Sequence, residues 1–142
     1  MAQEFDLDRF VTAQAHSYDR AVAELRAGRK RSHWMWFVFP QHIALGRSET
    51  ARRYGIGSIE EARAYLAHPL LGPRLRECSA ALLTHKGEPP ESIMGEIDAL
   101  KLKSSMTLFE AAAGDPAPFA AILDGFYDGE RDMATLRLLD QA

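Results

Sequence analysis

Apolar residues recur at intervals of three and four between the glycines and prolines of this chain. In the first such segment they run from Leu7 through Phe10 and Val11 to Leu25, which is the pattern of one face of a helix. No segment alternates apolar and polar residues between two turn signals, as a half-buried strand would. The spacing therefore predicts an all-α fold.

The length of 142 residues is that of one domain. We therefore expect a single helical domain over residues 1–142, with six or seven helices. The first helix begins at Leu7, with Asp6 as the predicted N-cap and Gly28 as the glycine after its end. Later helices are predicted to start at Ser58, Gly72, Asp98, Asp115 and Asp132.

The segment from His33 to Phe39 is ambiguous. Its continuous apolar run fits either a buried strand or a short buried helix, and periodicity does not separate the two. Its aromatic content favours a strand, but a lone strand would leave its backbone hydrogen bonds unpaired. We therefore expect a helix here.

Charge and composition exclude several classes of protein. The 17 basic and 20 acidic residues give a net charge of −3, which disfavours a nucleic-acid-binding domain. The N-terminus carries acids where a signal peptide would be positive, and the run Trp34–Phe39 is far too short for a membrane helix. We expect a cytoplasmic protein without a membrane segment.

Metal and thiol chemistry find little support in the sequence. The five histidines include no His-x-x-x-His pair, so we expect neither a metal site nor another cofactor. The single cysteine, Cys78, excludes an internal disulfide. It lies on the apolar face of its predicted helix, which favours a buried, inert thiol.

Gln14 is a polar residue at the centre of the first helix's apolar stripe. A buried amide needs hydrogen-bond partners inside the protein or a ligand in a cavity. Two interpretations follow: a core glutamine bonded to a loop backbone, or a residue that lines a pocket.

A basic and aromatic segment follows the first helix. Arg29 and Arg31 precede Trp34 and Trp36, and Gln41 ends the run. The cations can bind an anion while the rings stack on a base. The alternative is a set of cations that favour the helix C-terminus, followed by core residues.

A third polar group lies on one face of the helix predicted from Asp98. Lys101 and Ser105 are one turn apart, so they can hydrogen-bond, and Asp98 can hold the lysine ammonium. A lysine whose pKa is lowered by burial can activate a hydroxyl. The alternative is a helix start with an i,i+3 ion pair.

Five stretches with a recognisable pattern span nearly the whole chain: Arg9–Gln14, Arg29–Gln41, His68–Gly72, Asp98–Phe109 and Thr135–Leu136. In these stretches the chain resembles the family catalogued as domain of unknown function 1810. The resemblance implies a single, mainly α-helical domain and brings no activity with it. Because Gln14 lies inside a matching stretch, the resemblance favours its interpretation as a pocket residue.

These features predict a pocket for a small anionic or nucleotide-like ligand. Its binding residues would be Gln14, Arg29, Arg31, Trp34, Trp36 and Gln41. A metal-independent hydrolase or transferase reaction would draw on His33, Asp98, Lys101 and Ser105.

The alternative is a protein-interaction or oligomerisation module without chemistry. Residues 20–31 hold five basic residues and one acid, whereas residues 110–142 hold seven acids and two basic residues. Patches of opposite charge allow a head-to-tail oligomer or the recruitment of partners.

Overall fold

The computed structural model describes residues 5–140, in which it has ten α-helices, one 3₁₀ turn and no strand. The helices are α1 (Asp8–Gln14), α2 (Tyr18–Ala27), α3 (Met35–Val38), α4 (Glu49–Arg53), α5 (Ile59–Ala67), α6 (Leu71–Leu83), α7 (Pro90–Met94), α8 (Glu96–Ala112), α9 (Ala117–Phe126) and α10 (Met133–Asp140). The 3₁₀ turn spans Ile43–Leu45. Seven helices have seven or more residues, and the all-α prediction is confirmed.

The predicted first helix is two helices, and that part of the prediction is wrong. The chain breaks between α1 and α2 at residues 15–17. Ser17 contributes to the break, since its hydroxyl donates to the Ala13 carbonyl at 2.9 Å and its N–H donates to Gln14 O at 3.1 Å. Because the apolar residues keep their helical spacing across residues 15–17, the sequence pattern does not reveal the break between α1 and α2.

Neither the start of α1 nor the end of α2 is capped by a side chain of its cap residue. The predicted Asp6 cap is not formed, because Leu7 holds the N-cap position without a side-chain bond. Gly28 does end α2, with φ +77°. A Cβ there would lie 2.9 Å from the His85 ring, whose Nε2 is 2.9 Å from the Leu25 carbonyl. The histidine thereby ties the end of α2 to the segment after α6.

The tryptophan-rich segment contains α3, a single helical turn, so the expectation of a helix is confirmed. Trp34, Met35, Val38 and Phe39 are each at most 2% exposed. Trp36 and Phe37 are half-buried, so the continuous apolar run reflects a turn with a buried side and a partly covered side.

Helix α8 is the longest element and packs against α5, α7, α9 and α10. It begins at Glu96 rather than at the predicted Asp98, because Gly95 with φ +87° is its N-cap. Asp132 caps α10 as predicted, with Oδ2 accepting the Thr135 N–H at 2.9 Å. The Asp132 N–H donates to the Thr107 hydroxyl at 2.9 Å, which holds the start of α10 beside α8.

Two further expectations concern the interior. Cys78 is fully buried, and burial raises the pKa of its thiol to about 12, so the thiol is protonated and inert, as expected. No helix within residues 5–140 has the length and apolar character needed to span a membrane.

The Gln14 side chain is only 2% exposed and bonds to protein groups at both ends of its amide. Nε2 donates to the Phe37 carbonyl at 2.6 Å and to the Tyr65 hydroxyl at 3.1 Å. Oε1 accepts from Arg74 Nη1 at 3.3 Å. These bonds are those of a core glutamine, with the backbone acceptor in α3 rather than in a loop, and they favour this interpretation over a pocket residue.

Replacing Gln14 by leucine should destabilise the fold. The substitution leaves the Arg74 guanidinium and the Phe37 carbonyl with fewer partners, which costs about 1–3 kcal/mol for a buried group. We expect the melting temperature of Gln14→Leu to fall by several degrees. Thr12→Leu is the matched control, since Thr12 is exposed on the same helix. Equal melting temperatures for both variants would show that the amide network does not contribute to stability.

Candidate ligand-binding site

The turn that leads into α3 is organised by one carboxylate, that of Glu24 in α2. Its Oε1 accepts the N–H groups of Arg31 at 2.7 Å and Ser32 at 3.0 Å, together with the Trp34 indole N–H at 2.9 Å. Its Oε2 accepts the Ser32 hydroxyl. The backbone of the basic segment therefore wraps around an acid, and Trp34 is fixed by its polar atom.

Four donors also determine the charge state of Glu24. Burial acts to raise its pKa, but the hydrogen bonds from Ser32, Arg31 and Trp34 outweigh burial and lower the pKa to about 2. The carboxylate is therefore ionised throughout the neutral range and is a permanent anchor for the turn.

Lys30 leaves this turn towards α8. Its Nζ lies 2.8 Å from Asp98 Oδ2 and 2.6 Å from the Ser32 carbonyl, and 4.9 Å from the centre of the Trp34 ring. Its backbone N–H donates to Ile93 O at 2.8 Å. With a side chain only 7% exposed, Lys30 joins the turn to both α7 and α8.

Asp98 is shared between two lysines. Its Oδ1 lies 3.6 Å from Lys101 Nζ, which is in turn 5.2 Å from the centre of the Trp36 ring. The Lys101 side chain is 26% exposed, whereas that of Lys30 is 7% exposed. Lys101 is therefore the more accessible of the two cations, and it lies beside an aromatic face.

Two clefts flank this cluster. The first, of about 510 Å³, is called the aromatic cleft because Trp36 forms part of its wall. Its lining residues are Lys30, His33, Met35, Trp36, Met94, Gly95, Glu96, Ile97 and Asp98. It therefore combines an aromatic ring with two carboxylates, a lysine and an imidazole.

The second cleft, of about 490 Å³, is called the apolar cleft because apolar side chains are its largest group. Its lining residues are Gln41, Leu45, Arg47, Ser48, Ala51, Ile97, Leu100, Lys101, Ser104, Asp132 and Ala134. Ile97 lines both clefts, so they adjoin at the first turns of α8.

Five of the predicted site residues meet here. His33, Trp36 and Asp98 line the aromatic cleft, while Gln41 and Lys101 line the apolar cleft. They come from α3, its flanking segments and α8, which are far apart in sequence. The Asp98–Lys101 ion pair that the sequence allowed is present across the junction of the two clefts.

Two predicted contacts do not form. Trp34 is fully buried and its indole N–H is held by Glu24, so the ring has no free face on which a ligand could stack. Ser105 is also fully buried, and its hydroxyl has no hydrogen-bond partner among the described residues. The Lys101 ammonium points to Asp98 and Trp36 instead, so the predicted Lys101–Ser105 bond is absent.

The remaining predicted residues line neither cleft. Gln14 lies in the core network described above. Arg29 is exposed and its Nη1 donates to the Ser92 carbonyl at 2.8 Å. Arg31 is exposed and contributes its backbone N–H to Glu24. Both arginines therefore lie outside the walls of the two clefts.

Sequence reasoning missed Glu24, Lys30 and Arg47. Glu24 is the only acid among residues 20–31, which hold five basic residues, and this isolation is a sequence signal for an internal ion-pairing or hydrogen-bonding role. Lys30 is a cation between two arginines, and the direction of its side chain depends on a backbone path that no spacing rule reveals. Arg47 lies in a loop, where periodicity carries no information about direction.

A third cleft, of about 550 Å³, lies at the other end of α8, where Arg63 and Arg76 line it beside residues 111–114. It contains none of the predicted site residues. Within residues 5–140, no three His, Cys, Asp or Glu side chains are grouped in a way that would hold a metal ion.

Comparisons with known proteins found one matching family and a similar solved structure. The model of the family described as "Protein of unknown function (DUF1810)" matches residues 4–139. The crystal structure of the conserved hypothetical protein Rv1873 from Mycobacterium tuberculosis is similar, with 56% sequence identity and a TM-score of 0.94. The similarity covers 96% of this chain and 97% of that one. No curated protein matches the chain.

The Glu24 anchor predicts a specific acid response. Because the folded pKa is lowered from 4.5 to about 2, the stabilisation is fully present above pH 4.5 and is lost as the pH falls towards 2. Glu24→Gln should therefore melt several degrees lower at neutral pH, and its melting temperature should depend less on pH in this range.

The measurement is thermal unfolding of both proteins as a function of pH. Glu60→Gln is the control, because it removes the same charge from an exposed acid in the first turn of α5. A Glu24→Gln curve that runs parallel to the wild-type curve would contradict the anchoring role.

Proposed function

Because the chain belongs to the DUF1810 family, whose function is unknown, we propose a function from the site itself: it binds a small anionic, nucleotide-like ligand across the two clefts. The observation that carries the proposal is the position of Lys101. Its ammonium adjoins the Trp36 ring and the Asp98 carboxylate, and the residue lines a cleft of about 490 Å³. Clefts of a few hundred Å³ with a few polar groups are typical of small-molecule sites.

Charge at the junction favours an anion. Lys30 and Lys101 share one carboxylate, so the group of three carries a net positive charge. Lys30 is engaged by two close oxygens, whereas Lys101 has only the longer contact to Asp98. A lysine ammonium has three donors, so Lys101 retains donors for a phosphate or carboxylate.

Arg47 supplies a second cation to the apolar cleft. The acid that lines the same cleft, Asp132, already accepts the N–H and hydroxyl of Thr135 at 2.9 and 2.6 Å. One carboxylate oxygen of Asp132 is therefore engaged in capping α10. An arginine can bind an oxyanion through two parallel hydrogen bonds, which a lysine cannot do.

The aromatic cleft fits the rest of a nucleotide. Trp36 is half-buried, so part of its ring is accessible for stacking. Asp98 and Glu96 present carboxylate oxygens to the same cleft, where they can accept N–H or O–H groups of a base or sugar. A planar ring with polar edges and an attached anion satisfies all of these groups.

A hydrolase or transferase reaction in this cleft would use His33. Ser105 is buried away from both clefts, and Asp98 is held by two ammonium groups. His33 lines the aromatic cleft beside these carboxylates, and an imidazole can take or give a proton near neutral pH. The test is product formation from bound ligand with wild type and His33→Ala.

Binding should depend on Lys101 and Trp36. We expect Lys101→Met and Trp36→Leu each to raise the dissociation constant for a 5′-nucleoside monophosphate by about tenfold, which corresponds to 1.4 kcal/mol. Isothermal titration calorimetry with the common 5′-ribonucleoside monophosphates measures this change. A ligand that stabilises the folded state should also raise the melting temperature.

Lys103→Met is the matched control. Lys103 lies on the same helix with a similarly exposed side chain, pairs with Glu130 at 3.2 Å and lines neither cleft. It should bind as the wild type does. Equal losses in the Lys101 and Lys103 variants would assign the effect to surface charge, and no binding to wild type would refute the proposal.

A second candidate function, self-association, rests on a different observation. Large apolar side chains are exposed on α8 and α10, namely Ile97 at 71%, Leu100 at 69%, Met133 at 59% and Leu136 at 37%. Exposed apolar surface in groups is a feature of interaction sites. Sedimentation velocity over a concentration series tests it: a mass that rises with concentration, and does not rise in Leu136→Ser, favours an oligomer.

A further inference from the structure

The exposed apolar residues of α8 lie beside the cation of the proposed site. Ile97, Leu100 and Lys101 are three and four positions apart, so they share one face of the helix. Ile97 and Leu100 are 71% and 69% exposed, yet both line the apolar cleft. Side chains of this size so close to a binding cation leave apolar surface that a ligand can cover.

The apolar cleft continues this surface inward. Leu45, Ala51 and Ala134 contribute to its walls, from the 3₁₀ turn, α4 and α10. Its cations, Arg47 and Lys101, share the cleft with five apolar and four polar side chains. The apolar members can cover an apolar group that is attached to an anion.

Lys101 also faces the other cleft. The residue lines the apolar cleft, while its Nζ contacts Asp98 and the Trp36 ring, which line the aromatic cleft. An anion held by Lys101 therefore has the aromatic cleft on one side and the apolar cleft on the other. The two clefts have nearly equal volumes, about 510 and 490 Å³, so each has room for a sizeable part of a ligand.

We infer that the ligand is a nucleotide-like phosphodiester whose phosphate carries an apolar substituent. The base stacks on Trp36, the phosphate binds Lys101, and the substituent covers Ile97 and Leu100 in the apolar cleft. This inference rests on the proposed function and adds the class of ligand. It also gives the exposed leucine and isoleucine a role in one chain, without a second copy.

The test compares two probes of equal charge. The methyl and phenyl phosphodiesters of each common 5′-ribonucleoside monophosphate carry the same single negative charge at the phosphate and differ only in the apolar group. Isothermal titration calorimetry with the full-length protein gives both dissociation constants. We expect the phenyl ester to bind at least about tenfold more tightly, or 1.4 kcal/mol.

Two variants locate the effect. Leu100→Ser should remove the preference for the phenyl ester, so that the two esters bind with equal affinity. Because Leu100 is 69% exposed, its replacement is not expected to disturb folding. Met133→Ser is the control, since Met133 is 59% exposed and lines neither cleft. It should keep the preference.

The outcomes separate the two claims. Equal affinity for methyl and phenyl esters would overturn the inference and leave nucleotide binding standing. A preference that survives Leu100→Ser would also overturn it, because the substituent would then lie elsewhere. Failure of every monophosphate and every ester to bind would overturn the proposed function, and the inference with it.

Discussion

The ionised carboxylate of Glu24 is the interaction on which the candidate site depends. It accepts backbone and side-chain hydrogen bonds from the turn at residues 31–34, a stretch with no repeating structure of its own. Without this acceptor, the indole N–H of the fully buried Trp34 would have no partner, at a cost comparable to a lost hydrogen bond. The acid thereby determines the path by which the chain enters α3, and that path determines where Trp36 and Lys30 lie.

A chain of ion pairs connects this turn to α8. Lys30 connects Glu24's turn to Asp98, and Asp98 connects to Lys101. The Lys30 ammonium lies over the Trp34 ring and the Lys101 ammonium lies over the Trp36 ring. Each cation therefore has both an aromatic face and a carboxylate as neighbours. Burial of a charge is tolerated when it is paired and hydrogen-bonded, as Lys30 is. The same pairing orients the less buried Lys101.

The sequence predicted the helical class and five residues that line the two clefts, but not the division of the first helix or the different burial of the two tryptophans. Spacing and caps located most long helices because burial on one face imposes a period of 3.6. The break after Gln14 was missed because both α1 and α2 bury apolar residues in a compatible phase. The sequence does not distinguish Trp34 from Trp36. The turn held by Glu24 buries Trp34 and leaves Trp36 partly accessible. The helical spacing also predicted a contact between Ser105 and Lys101, but the Lys101 ammonium lies at the Asp98 carboxylate instead.

The two tryptophans illustrate why a basic and aromatic segment can serve both structure and binding. Three of its donor groups bind acids or carbonyls of the fold: the Trp34 indole, the Lys30 ammonium and the backbone N–H of Arg31. Because the partly buried acids Glu24 and Asp98 have these partners, they do not depend on Lys101 alone. Among the described residues, the Lys101 ammonium contacts one carboxylate, at 3.6 Å, and a second lysine holds that carboxylate at 2.8 Å. In the proposed site, a ligand anion would therefore compete with a weak contact rather than with a tight ion pair.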